Sequence, residues 1–105
     1  MKIYLIYSTF KNLKEAKSMG GQLVKNKLAA CTNIIPAIYS TYVWKNKTMV
    51  DKECSMIVKT TQSKVKKAIK FIVKRHSYDC SAVTAFPIKF THIDFKNWII
   101  KETKS

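Results

Sequence analysis

The sequence predicts an α+β protein in which helices pack on one antiparallel β-sheet, and three observations support this class. A short apolar segment lies at the start of the chain, and two later segments carry apolar residues at helical spacing. Two long segments rich in β-branched and aromatic residues lie on either side of a turn. The chain of 105 residues has no repeat, linker or composition break. We therefore expect a single domain that spans residues 1–105.

The first strand and the first helix are predicted close to the N-terminus. Residues 3–7 are apolar on both faces, which is typical of a buried strand. Asn12, with Glu15 three residues later, matches a capping box, and apolar side chains recur at helical spacing from Leu13 to Val24. Basic side chains at positions 25 and 27 suit the negative end of the helix dipole, so we expect the helix to end there.

A long hairpin is predicted next. Residues 28–44 form an extended segment, and Pro36 should cause a bulge or bend in it because proline cannot donate to a strand ladder. Positions 45–47 form the expected turn, in which Asn46 can adopt a left-handed conformation, and residues 48–60 form the return strand. These strands are longer than one small sheet needs, so we expect the hairpin to project and to pair with another chain.

The rest of the chain predicts a helix, an edge strand and a final helix. Ser63 or Thr61 is the expected cap of the second helix, and Asp94 is the expected cap of the last one. Residues 82–90, which contain Pro87, are expected to form the fourth strand. The apolar stripe of the second helix has the spacing i, i+3, i+4, i+7 and i+8: Val65, Ala68, Ile69, Ile72 and Val73.

The predicted order β-α-β-β-α-β matches the ferredoxin-like sandwich, to which the last helix is an addition. Two helices on one face of an antiparallel sheet leave the other face and the hairpin edge uncovered. Oligomerisation would cover both surfaces.

Composition and charge restrict the classes of function. The formal net charge is +14, which suggests nucleic acid or an anionic surface as a partner, but Arg75 is the only arginine among 20 basic residues. A solvated lysine surface that binds polyanions weakly and non-specifically explains the same charge. No apolar run approaches the roughly 20 residues of a membrane span. The three widely spaced cysteines, without a C-x-x-C pair, indicate reduced thiols and a cytoplasmic location.

Motifs for known chemistry are missing from the sequence. No nucleophile elbow, phosphate-binding loop or dinucleotide fingerprint occurs, and we therefore expect no enzymatic activity. Asp51 and Glu53 share one face of the return strand and suit either a cation site or a solvated edge. The aromatic residues Tyr39, Tyr42 and Trp44 suit hairpin packing or subunit contact better than nucleic-acid stacking.

Several motifs along the chain resemble those of the CutA family of divalent-cation-tolerance proteins. They are Leu-Ala-Ala-Cys-Thr-Asn-Ile-Ile-Pro at 28–36, Trp44, Glu53, Val-Lys-Thr at 58–60, His76, Tyr78, and Trp-Ile at 98–99. The resemblance implies a ferredoxin-like subunit, a cytoplasmic homotrimer built by pairing of hairpin strands between chains, and an architecture similar to PII signalling proteins, which bind small effectors in clefts between subunits. It also implies a role in tolerance of copper and other divalent metals.

The resemblance further implies an intersubunit cleft, whose residues carried over by position are Trp44, Glu53, Lys59, His76, Tyr78 and Asp79. Some copper-binding members have a cysteine where Ser8 stands and a histidine where Arg75 stands. Of these three ligand positions, only the one at His76 is retained in this sequence. Cys80 is a candidate replacement for the lost thiolate.

The sequence thus predicts a trimeric CutA-like protein that acts in divalent metal tolerance, with a metal ion, copper being one candidate, or a small anionic ligand in clefts between subunits. Lys59 would hold the anion. The alternative is a basic ferredoxin-like module that binds nucleic acid.

Overall fold

A four-stranded antiparallel sheet with the strand order β2-β3-β1-β4 forms the centre of the molecule, and the computed structural model describes all residues, 1–105. The strands are β1 (Ile3–Phe10), β2 (Cys31–Trp44), β3 (Lys47–Thr61) and β4 (Val83–Ile88). The helices are α1 (Leu13–Lys25), α2 (Val65–Arg75) and α3 (Ile93–Glu102). The α+β class, the antiparallel sheet and the order of the elements are as predicted from the sequence.

The main core lies between one face of the sheet and helices α1 and α2. Alternate residues of β1 and β3, among them Ile6, Phe10 and Met56, are fully buried against α1 and α2. Gly20 lets α1 approach β2 closely, because a Cβ at this position would lie 2.7 Å from the Thr32 hydroxyl oxygen.

Helix α3 covers part of the opposite face. Ile3, whose side chain points away from the main core, packs with Ala30 and Ile99 in a separate small cluster. The remainder of this face stays open and carries an apolar group: Leu5, Tyr7, Ile57 and Phe86 occupy adjacent pairing positions on it, and Phe86 is 45% exposed.

The predicted cap of α1 is confirmed, whereas those of α2 and α3 are wrong. The Asn12 side chain accepts a hydrogen bond from the backbone N–H of Glu15 at 2.9 Å. Helix α2 follows Lys64 and has no side-chain cap, because the Thr61 and Ser63 hydroxyls bond each other at 3.1 Å. Asp94 lies inside the first turn of α3, where its charge suits the positive end of the helix dipole.

The hairpin of β2 and β3 has the predicted turn and bulge. Lys45 and Asn46 both have positive φ angles, 50° and 64°, as a two-residue type I′ turn requires. The bulge lies at Pro36: Ile35 pairs with Ser55, but Ile38 pairs with Glu53, so β2 carries one additional residue. The Cys54 thiol, opposite the bulge, donates a hydrogen bond to the Pro36 carbonyl oxygen at 2.9 Å.

Three strand ends differ from the prediction by two residues or more, and the remaining ends agree to within one residue. Strand β1 continues to Phe10 because it stays paired with β3 as far as Cys54. Strand β2 begins at Cys31 rather than at residue 28, because Leu28 still donates its N–H to the end of α1 and Lys27 has a φ of 58°. Strand β4 ends at Ile88, opposite the first residue of β1.

Candidate functional site

An open groove of about 650 Å³ lies at the end of the sheet where β1 stops and the hairpin continues alone. One wall is the hairpin, and the other is the loop that follows α2. Of the residues predicted for the cleft, four line this groove, Trp44, Glu53, Tyr78 and Asp79, and the candidate metal ligand Cys80 lines it as well. The structure therefore brings together side chains that are up to 36 positions apart in the sequence, the interval from Trp44 to Cys80.

The charge of the groove is opposite to that of the chain. Asp51, Glu53 and Asp79 line it, which are three of the six acidic residues, and no lysine or arginine does so. The two β3 carboxylates share a face because they are two residues apart on a strand. A chain with 20 basic residues thus concentrates half of its acids in one concave site.

Two tyrosines hold the β3 carboxylates in place. The Tyr78 hydroxyl donates to Glu53 Oε2 at 2.8 Å, and the Tyr42 hydroxyl donates to Asp51 Oδ2. Burial and the hydrogen bond to Glu53 raise the pKa of Tyr78, and the hydrogen bond to Asp51 raises that of Tyr42. Both phenols therefore remain protonated donors at neutral pH, and each carboxylate keeps lone pairs for a further partner.

His76 lies beneath the groove and does not line it. Its side chain is fully buried and stacks on Phe10, with ring centres 4.7 Å apart. Nε2 lies 2.7 Å from the Thr9 carbonyl oxygen, and Nδ1 accepts the backbone N–H of Tyr78 at 3.1 Å. Since a carbonyl oxygen only accepts, Nε2 carries the proton, and the ring is the neutral Nε2–H tautomer.

This arrangement leaves His76 no free lone pair for a metal ion. The ring instead fixes the start of the loop that carries Tyr78 and Asp79. Glu15 reinforces the same loop, because its carboxylate accepts the backbone N–H of Ser77 at 3.2 Å. In the structure His76 therefore acts as a support for the groove rather than as part of its lining.

Lys59 lies outside the groove, contrary to the cleft predicted by position. It pairs with Cys31 and Leu5 in the sheet, six residues along β3 from Glu53. At about 3.3 Å per residue, the two positions are separated by about 20 Å. Lys59 could therefore reach such a cleft only from another copy of the chain.

The copper-ligand positions do not form a ligand set. The Ser8 hydroxyl is buried without a hydrogen-bond partner, and the Arg75 guanidinium lies 3.7 Å from the centre of the Phe71 ring. Together with the occupied nitrogens of His76, these positions do not fit copper, which prefers thiolate and free imidazole.

The donor set of the groove consists mostly of oxygen. Carboxylates and hydroxyls supply it, and the exposed thiol of Cys80 is the one soft donor. No three His, Cys, Asp or Glu side chains lie close enough together to hold a metal ion within one chain. The lining chemistry suits a harder divalent cation better than copper.

Sequence reasoning missed several residues of the site. It placed Tyr42 in hairpin packing, left Asp51 open between a cation site and a solvated edge, and did not find Thr9, Ser40 or the support from Glu15. The bulge and the two-residue turn set the register that places Tyr42 beside Asp51, and a register is not visible in a strand pattern alone.

No helix of the structure has both the length and the apolar character needed to cross a membrane. Fold and groove together define a small α+β protein that carries a ligand-sized, carboxylate-lined groove on a largely basic surface. A family model described as CutA1 divalent ion tolerance protein matches residues 4–102. The chain belongs to the CutA1 divalent ion tolerance family.

Individual relatives agree with this assignment. The chain is 35% identical over 95 residues to the divalent-cation tolerance protein CutA of Thermotoga maritima, covering 90% of this chain and 93% of that protein. It is 34% identical over 100 residues to the chloroplastic protein CutA 1 of rice, covering 95% of this chain but only 56% of the rice protein. The chain thus spans about half the length of its plant and vertebrate relatives.

A solved structure shows the same fold. The crystal structure of the divalent ion tolerance protein CutA1 from Ehrlichia chaffeensis superposes with a TM-score of 0.95 at 34% identity, covering 100% of this chain and 99% of that chain.

Proposed function

We propose that this protein acts in divalent-cation tolerance by binding a divalent cation, or a small ligand that carries one, in the groove beside β3. The observation that carries the proposal is the reversed charge of the groove, which three carboxylates and no basic side chain line in a chain of net charge +14. Such a site attracts a cation against the field of the remaining surface, whereas polyanions are drawn elsewhere. Its action is binding rather than catalysis.

The working unit we propose is a homotrimer of ferredoxin-like subunits, with the groove closed by a neighbouring copy. The hairpin extends beyond the rest of the sheet and exposes Tyr39, Val43 and Val50 near its end. The open sheet face around Phe86 and Tyr7 is apolar as well. Surfaces of this kind are stabilised by contact with another chain. Completion of the groove by a second subunit would make it a cleft of the PII type.

The metal we propose is one that prefers oxygen ligands, rather than copper. Asp51, Glu53 and Asp79 are hard donors, whereas His76 is engaged in two hydrogen bonds. The location we propose is the cytoplasm, where the three unpaired cysteines would stay reduced.

A basic nucleic-acid-binding module is the second candidate. It is favoured by one observation: no lysine lies within ion-pair distance of a carboxylate, since the only contacts of that kind in the chain are made by histidines. The single arginine packs on Phe71, which leaves lysines alone for phosphate contacts. We propose only weak, non-specific binding of this kind.

Calorimetric titration with Mn²⁺, Zn²⁺ and Cu²⁺ tests the groove. The variant Asp51→Asn/Glu53→Gln keeps both tyrosine hydrogen bonds but removes two charges from the groove. We expect at least tenfold weaker Mn²⁺ and Zn²⁺ binding, because charge-assisted contacts contribute about 1.5–3 kcal/mol each.

The matched control is Asp94→Asn/Glu102→Gln, which makes the same charge change outside the groove. Equal loss of affinity in the control and in the groove variant would overturn the proposal. Retained affinity in the groove variant would do so too.

A further inference from the structure

A second cavity lies at the opposite end of the sheet from the acidic groove. It has a volume of about 590 Å³ and is bounded by the start of β1, the end of β4 and the first turn of α3. Along β1, Ile3 of this cavity and Thr9 of the groove are six residues, or about 20 Å, apart. The two sites are therefore separate, and neither depends on the other.

Three lysines surround the second cavity, and no acidic side chain lines it. Lys2 precedes β1, Lys89 follows β4, and Lys96 lies in α3. None of them lies within ion-pair distance of a carboxylate, because the only contacts of that kind in the chain are made by His76 and His92. The cavity thus presents unpaired positive charge from three directions.

The walls between the lysines are apolar. Ile3 and Ile88 belong to the small cluster beneath α3 and form the inner wall, while Phe90 and Ile93 stand at the opening. Phe90 is 82% exposed, which is unusual for so large an apolar side chain, and the Lys89 ammonium lies 5.4 Å from the centre of its ring. These apolar side chains need a nonpolar partner, and the lysines need an anionic one.

From this combination we propose that the second cavity binds a small amphipathic anion: an acyl chain that ends in a carboxylate. The chain would lie on Ile88, Phe90 and Ile93, and the carboxylate would meet the lysine ammonium groups. A volume of about 590 Å³ falls in the range of small-molecule sites, about 300–1,000 Å³. A cation would be repelled from it, so this site differs in ligand class from the acidic groove.

Octanoate and 1-octanol are suitable probes, because they share the chain and differ in the charged end. We expect saturable NMR shift changes at Phe90 and Ile93 with octanoate. The variant Lys89→Gln/Lys96→Gln should bind octanoate about tenfold more weakly, since two exposed ion pairs are lost. Its binding of 1-octanol should not change.

The matched control is Lys66→Gln/Lys70→Gln, which removes the same charge from the exposed side of α2. Equal weakening of octanoate binding by the control, or equal affinity of wild type for octanoate and 1-octanol, would overturn the proposal. Absence of saturable shifts at Phe90 and Ile93 would do the same. Because Mn²⁺ binding to the acidic groove is measured separately, either site can fail without the other.

Discussion

Tyr78 and Glu53 join the two walls of the acidic groove through one hydrogen bond of 2.8 Å, from the phenol of the loop after α2 to the carboxylate on β3. Glu53 is only 8% exposed, so its charge is accommodated by this donor rather than by bulk water. The bond determines both the width of the groove and the orientation of the carboxylate, and it can be tested directly.

Tyr78→Phe should lower the free energy of unfolding by about 1 kcal/mol at pH 8, because a half-buried hydrogen bond to a charged acceptor is lost. It should also change the pH dependence. The pKa of Tyr78 is raised above the value of 10.0 in the unfolded chain, so its stabilisation is complete below pH 10 and declines as the pH rises further.

Urea unfolding at pH 8 and at pH 10.5 measures both effects. Wild type should lose more stability between these two values than Tyr78→Phe. Tyr39→Phe, at an exposed position of the hairpin, is the control and should behave as wild type. The same loss of stability in wild type and in Tyr78→Phe would contradict the prediction.

The neutral tautomer of His76 is a second prediction. Nitrogen-15 NMR of the imidazole at pH 7.5 should show a protonated Nε2 and an unprotonated Nδ1. Addition of Zn²⁺ should leave both resonances in place, since neither nitrogen has a free lone pair. Exposed His92 serves as the internal control for unspecific metal contact. A Zn²⁺-induced shift of His76 larger than that of His92 would show that the ring does bind metal.

The adjacent glycines of α1 provide a matched pair for packing. A Cβ on Gly20 meets Thr32 Oγ1 at 2.7 Å and Met56 Sδ at 3.3 Å, whereas a Cβ on Gly21 meets nothing within 4 Å. Gly21→Ala should therefore stabilise the protein by about 0.5–1 kcal/mol through helix propensity. Gly20→Ala should be at least about 1 kcal/mol less stable than Gly21→Ala, because the gain is offset by overpacking. Thermal unfolding of both variants is the measurement, and equal stability would contradict the packing described.

Association through the open sheet face is tested by Phe86→Glu. We expect wild type to sediment as a trimer, with a thermal midpoint that rises with protein concentration. The variant should sediment as a smaller species, because a charge replaces an apolar contact. Val73→Glu, at a half-exposed position of α2, is the control and should stay assembled. A folded wild-type monomer at micromolar concentration would contradict the proposed trimer.

Salt dependence separates the lysine surface from the acidic groove. Binding to a single-stranded oligonucleotide should be independent of sequence and should fall steeply between 50 and 200 mM salt, by roughly 300-fold if six lysines contact phosphate. Mn²⁺ binding should change much less, because the groove is concave and partly shielded. Oligonucleotide binding that persists at 200 mM salt would favour the nucleic-acid alternative.

Local sequence signals predicted most of the fold. The cap at Asn12, the turn at Asn46 and the bulge at Pro36 depend on the chemistry of single residues, and the structure has all three. The predictions that failed depend on competition between neighbours. Thr61 and Ser63 bond each other instead of capping α2, a choice that spacing cannot reveal.

The candidate site was predicted less completely than the fold, for a physical reason. That Asp51 and Glu53 share a strand face follows from the two-residue repeat of a β-strand. Tyr78 and Asp79 were assigned through the resemblance to the CutA family. The support role of His76 could not be predicted from the sequence, because it depends on the three-dimensional course of the loop relative to Thr9. Lys59 was assigned to the cleft by position alone, and within one chain it lies far along β3.

The bulge at Pro36 has a consequence for how this protein tolerates changes in length. Before the bulge, odd-numbered residues of β2 share a face with odd-numbered residues of β3. After it, even-numbered residues of β2 share that face with odd-numbered residues of β3, as Ser40 opposite Asp51 shows. Deletion of Ala37 would therefore remove the bulge and leave a regular ladder, in which Ile38 still pairs with Glu53 and Tyr42 and Trp44 keep their side of the hairpin. The groove would keep its lining side chains on the same side of the hairpin although β2 became one residue shorter.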